Sequence, residues 1–69
     1  MIVNYGTVEW FDAERGVGVI VADGGGREVA VSASDIDGGG QQSLRASTRV
    51  AFTLFDAPRG PRALRVWTL

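Results

Sequence analysis

The sequence predicts an all-β domain, a five-stranded antiparallel barrel. Three observations carry that reading. Short runs rich in valine, threonine and aromatic residues alternate apolar with polar side chains, the period of a half-buried strand. Clusters of glycine, proline and aspartate punctuate those runs, as in "DGGG" at 23–26 and "DAPRGP" at 56–61. The longest stretch without strand character, 33–48, holds too much glycine for a stable helix. A chain of 69 residues has room for one domain, 1–69, and a compact barrel suits so small a core.

The elements follow in order. "YGTVEWFD", Tyr5 to Asp12, is the first strand and ends at an acidic turn. "GVGVIVA", Gly16 to Ala22, is the second; alternation sets Val17, Val19 and Val21 on one face and Gly18 and Ile20 on the other. "DGGG" then makes the strongest hairpin signal in the chain. "REVAVS", Arg27 to Ser32, is the third strand, with Val29 and Val31 facing one way and Ala30 and Ser32 the other. Within the long connection, "SASDI" has the length of a single helical turn. "RVAFTLF", Arg49 to Phe55, is the fourth strand, with Val50, Phe52 and Leu54 inward. "DAPRGP" reverses the chain, and "RALRVWTL", Arg62 to Leu69, is the fifth strand. Five strands, with the long connection between the third and fourth, give the layout of a Greek-key barrel of the OB type.

Composition removes several function classes. The chain has neither cysteine nor histidine, which takes away disulfides, thiol nucleophiles, imidazole acid–base chemistry and the usual zinc sites. Ser32, Ser34 and Ser43 therefore lack an activating base. "GVG" completes no phosphate-cradling glycine motif. Asp35 and Asp37 read as solvated loop carboxylates rather than metal ligands. No enzyme, metal or cofactor is expected. No apolar run approaches a membrane span and "MIVNYG" lacks a signal peptide's layout, so the expected location is the cytoplasm, with no membrane partner.

A net charge of −1 gives nucleic acid no overall pull, but the two halves differ. Residues 1–43 carry two arginines against seven acidic residues; residues 44–69 carry five arginines against one aspartate. All the basic residues are arginine, which suits phosphate forks and base stacking, although codon bias produces the same composition.

The ordered motifs resemble a known family. "GTVEWFDAERGVGVI" is similar to the opening of the cold-shock domain: glycine–x–valine–lysine–tryptophan–phenylalanine–asparagine, then lysine–glycine–phenylalanine–glycine–phenylalanine–isoleucine. "DGGGREVAVS" sits where that family has a glycine turn followed by aspartate–valine–phenylalanine–valine–histidine. "SLRASTRVAFTL" and "RGPRALRV" match its fourth strand and the turn before its last. The match runs from about Gly6 to Leu69. The resemblance implies a barrel that binds single-stranded RNA or DNA, stacking bases on rings of the second and third strands while basic side chains track phosphates.

Carried over residue by residue, the resemblance makes Trp10 the surface tryptophan on which a base stacks; the competing role is an edge indole covering apolar surface. Phe11 matches the neighbouring phenylalanine, with core packing as its other role. Arg15 and Arg59 match phosphate-contacting basic positions. The departures are heavier. Val17 and Val19 stand where the family has two phenylalanines, Ala30 where it has a third, and Ser32 where it has histidine. Ala33 and Gln41 also occupy positions that are often aromatic, Glu9 replaces a lysine, and Asp12 replaces an asparagine. Each stacked base is worth roughly 1–3 kcal/mol, so losing four or more rings forfeits on the order of 4–12 kcal/mol if the terms add.

The expected function is therefore weak, salt-sensitive binding of single-stranded nucleic acid through Trp10, Phe11, Arg15, Val17, Val19, Ala30, Ser32 and Arg59. The alternative is a degenerate barrel acting as a protein-interaction or self-association module, with a homodimer or protein partner on the valine-rich face. A third reading moves the nucleic-acid contact to the last hairpin, through Arg62 and Arg65.

Overall fold

A computed structural model describes residues 2–37 and 43–69. Its strands are β1 (Asn4–Asp12), β2 (Val17–Ala22), β3 (Glu28–Ser32), β4 (Arg49–Ala57) and β5 (Gly60–Thr68), with one 3-10 turn at Ala33–Asp35. They close into a barrel in the order β1-β2-β3-β5-β4, with β4 returning to β1. The seams are antiparallel except β3–β5, which runs parallel through Ala30 and Arg62. That exception follows from the connectivity: β4 and β5 form a hairpin, so the barrel closes only with β5 running alongside β3.

Several expected boundaries move by one residue, and the two at the last reversal move by two. β4 extends to Ala57 and β5 starts at Gly60, so the reversal is a two-residue tip, Pro58–Arg59, rather than the whole of "DAPRGP". Gly60 makes this possible with φ +128, a conformation that side chains resist. The long connection also gives more to the core than a solvated loop would. Ile36 bridges Val66, and both Ile36 and Leu44 are buried.

The core is Val8, Ile20, Val29, Val31, Ile36, Leu44, Val50, Phe52, Ala63 and Val66, with Phe11, Ala22 and Leu54 packed against it. It is built chiefly from β-branched residues on alternate strand positions, which a pleated, half-buried strand favours. Phe52 is its one fully buried ring.

Two bulges decide which rings leave the core. In β1, Val8 pairs with Ile20 but Trp10 pairs with Val19, so Glu9 is an inserted residue. One extra residue inverts the alternation that follows it. Trp10 consequently points out and Phe11 points in. In β5, Leu64 pairs with Thr53 but Trp67 pairs with Ala51, leaving Arg65 and Val66 opposite Phe52. Val66 turns into the core and Trp67 turns out, with Arg65 held in the left-handed region at φ 52.

Folding pairs some charges across the two halves of the sequence but leaves their asymmetry standing. Arg27 pairs with Asp56 at 2.7 Å, Arg49 with Asp23 at 2.7 Å and Arg62 with Asp35 at 3.0 Å. Each pair joins one half of the chain to the other. Among the described residues, Arg15, Arg45, Arg59 and Arg65 make no ion pair.

Candidate nucleic-acid interface

Strand register builds a grid on the outside of β1, β2 and β3. One row runs Asp12–Val17–Ser32, a second Trp10–Val19–Ala30, and a third Thr7–Val21–Glu28. Neighbouring side chains in such a row lie within reach of one another. Five of the eight sequence-predicted residues, Trp10, Val17, Val19, Ala30 and Ser32, are thereby brought onto one face. Trp10 is the only ring in the grid and is 47% exposed. Beside it, Val17 and Ala30 are exposed and Val19 is partly covered.

Phe11 is not on that face. The bulge at Glu9 places it across from Gly18 and packs it against the core. A Cβ at residue 18 would lie 2.6 Å from the Phe11 ring and 2.5 Å from the Trp10 carbonyl oxygen, so glycine is what lets this ring lie flat over β2. The core role expected of Phe11 fits this half-buried position.

Arg15 and Arg59 bracket the face along the strand direction. Arg15 sits in the β1–β2 turn, beside the Asp12–Val17–Ser32 row, and Arg59 sits at the β4–β5 tip near the opposite end. Both are exposed. The Arg15 turn is organised by Asp12, whose Oδ1 accepts hydrogen bonds from the Glu14 and Arg15 backbone amides at 3.0 and 3.2 Å. The carboxylate at residue 12 thus has a local structural use, as a turn cap. Ser32 shares a 3.1 Å hydrogen bond with Ser34 through their hydroxyls. Glu9 is exposed beside Trp10 and places negative charge next to the ring. Gln41 lies outside the described residues.

Three exposed rings went unassigned in the sequence reading: Tyr5, Phe55 and Trp67. Phe55 was accessible to sequence reasoning, because alternation from Phe52 and Leu54 puts it outside. Trp67 was not, because its direction depends on a bulge that carries no glycine.

The fold and this face define a small OB-type barrel with an open outer sheet of β1, β2 and β3. Comparison with known proteins agrees with that class. The 'Cold-shock' DNA-binding domain family matches residues 4–69. Probable cold shock protein A of Mycolicibacterium smegmatis is 39% identical over 64 residues, covering 93% of this chain and 96% of that protein. Major cold shock protein of Micrococcus luteus is 41% identical over 64 residues, with the same 93% and 96% coverage. A solved structure of Drosophila Unr CSD456 superposes with a TM-score of 0.80 at 15% identity, over 99% of this chain and 27% of that one, a likeness of fold. The chain belongs to the cold-shock domain family. Among the described residues, no helix is long and apolar enough to cross a membrane.

Proposed function

We propose that the protein binds single-stranded RNA or DNA on the outer face of β1, β2 and β3, with a reduced aromatic platform. Family membership supports the ligand class, and the bulge at Glu9 supports the mode, because it turns the Trp10 indole out of the core and into the Trp10–Val19–Ala30 row. Trp10 stacks on a base. Val17, Val19, Ala30 and Ser32 form the shelf along which the strand passes, offering contact area but no π-face. Arg15 and Arg59, free of ion pairs among the described residues, meet phosphates at the two ends. With one ring on the grid instead of several, affinity depends heavily on those arginines, so it falls steeply with added salt.

Titration of tryptophan emission with thymidine oligomers, at low and moderate salt, tests this reading. Trp67 is also 37% exposed, so Trp10→Phe is needed to assign the signal. The expected result is salt-sensitive quenching that Trp10→Phe removes, and a loss of roughly 1–3 kcal/mol of binding in Trp10→Ala. Binding indifferent to both Trp10→Ala and Arg59→Ala would defeat the reading. A dimer abolished by Val19→Asp, with no oligomer bound, would establish the self-association alternative instead.

A further inference from the structure

The Trp10–Val19–Ala30 row does not stop at β3. The parallel seam pairs Ala30 with Arg62, and the last hairpin pairs Arg62 with Phe55. A single cross-strand row therefore runs Trp10–Val19–Ala30–Arg62–Phe55, across the outside of all five strands. At about 4.8 Å per strand it spans roughly 19 Å along the sheet. It has a ring at each end and small or flexible side chains between them.

We infer that Phe55 is a second base-stacking platform for single-stranded nucleic acid, so that the bound strand crosses β3 and β5 instead of ending on β2 and β3. This rests on the reading proposed above and extends it. Phe55 is 49% exposed and takes no part in the core, since Leu54 and Phe52 occupy the inward positions beside it. An isolated exposed phenylalanine is ordinary. Its register with Trp10, in the row where Val19 and Ala30 stand in place of rings, is what gives it a ligand.

The local charges fit a phosphate chain. The aspartates near this end are both held by arginines: Asp56 by Arg27 and Asp35 by Arg62. Arg59, at the tip of the same hairpin, makes no ion pair among the described residues. Arg62 sits between Ala30 and Phe55, and its guanidinium plane offers a stacking surface where a ring is absent.

The test compares a thymidine trinucleotide with an oligomer of about seven nucleotides, within the range one OB barrel accommodates. Both are titrated against the wild type, Phe55→Ala and Phe55→Leu, with circular dichroism confirming that each variant is folded. Leucine keeps apolar area but has no face, so it separates stacking from simple contact. The expected result is that both variants weaken the longer oligomer about fivefold or more and leave the trinucleotide unchanged. Wild-type binding of the longer oligomer that both variants retain in full overturns the Phe55 platform and leaves the Trp10 reading intact. A wild type that binds neither oligomer at low salt overturns both. A dimer lost in Phe55→Ala without any oligomer binding reassigns the row to a second copy of the chain.

Discussion

The barrel carries two outer faces, each given a tryptophan by a bulge, and they treat it in opposite ways. On the β1–β4–β5 side, Tyr5, Ala51 and Trp67 form one cross-strand row. Ala51 points away from the core there and yet is 0% exposed, in register between the two rings. On the β1–β2–β3 side, Trp10 is followed by Val19 and by an exposed Ala30, with no ring on β2 or β3. The first arrangement satisfies its own apolar surface. The second leaves a ring open to a ligand. A tryptophan's exposure is therefore a poor guide to its role, and what stands across the next strand is a better one.

Putting rings back on the open face is the strongest way to sharpen the contrast. Val17→Phe, Val19→Phe and Ala30→Phe combined place aromatic side chains at outward strand positions, where the backbone accepts them readily. Neighbouring stacks do not add simply. Even so, the triple variant should bind a thymidine oligomer at least about a hundredfold more tightly, or about 2.7 kcal/mol. Fluorescence titration against the wild type measures this directly. An unchanged affinity would mean that the strand does not pass over β2 and β3, and the distinction between the two faces would collapse.

A smaller effect separates the two tryptophans. Trp67→Ala uncovers Ala51 and should cost about 2 kcal/mol of stability, lowering Tm by about 10 °C in a domain this small. Its affinity for the oligomer should stay within about twofold of wild type, since the site lies on another face. Trp10→Ala should do the reverse, weakening binding while Tm moves little. Thermal melts and titrations of both variants decide the matter. Equal losses of stability would show that the two indoles serve the same structural purpose.

Much of this was legible in the sequence, for a definite reason. The strands and their inward residues follow from alternation, which Val29 and Val31, or Val50 and Phe52, display without interruption. The bulges are different. They insert Glu9 and Arg65, residues with no special turn chemistry, and Arg65 adopts φ 52 without being glycine. Everything downstream of each bulge changes face, which is why the inward turn of Phe11 and the outward turn of Trp67 were beyond alternation alone. Ile36 and Leu44 were hidden for another reason. They are isolated apolar residues in a connection with no period, and only the closure of the barrel over them makes them core. The charge halves show a third limit, since composition counts the charges but only the folded contacts reveal that Arg49 meets Asp23, Arg62 meets Asp35 and Arg27 meets Asp56. That Trp10, Val17, Val19, Ala30 and Ser32 share one outer face was readable from motif order. The extension to Phe55 required the β3–β5 seam, a contact between residues far apart in the chain.

The two faces are tied together at one end of the barrel by a pair whose strength depends on pH. Asp23, in the β2–β3 turn, accepts two hydrogen bonds from Arg49 of β4, at 2.8 and 2.7 Å, and Arg49 also donates to the Thr7 hydroxyl at 3.1 Å. The guanidinium hydrogen bonds hold the Asp23 carboxyl below its ordinary value of 3.8 and raise Arg49 above its own. A carboxyl depressed in the folded state binds fewer protons there than in the unfolded chain. It stabilises the fold at every pH above the ordinary value and loses that effect as pH falls through the folded value. The Arg49 shift lies too far into alkali to act in the same range. Both side chains are about half exposed, so solvent screens the pair and the effect is the smallest of the three. Asp23→Asn should therefore melt slightly below wild type at neutral pH, and the two melting curves should converge on acidification well below 3.8. Added salt should narrow the gap at neutral pH in the same direction. A gap that persists unchanged into acid would mean that Asp23 acts through turn geometry, and that the faces are coupled by the closed strand order rather than by this pair.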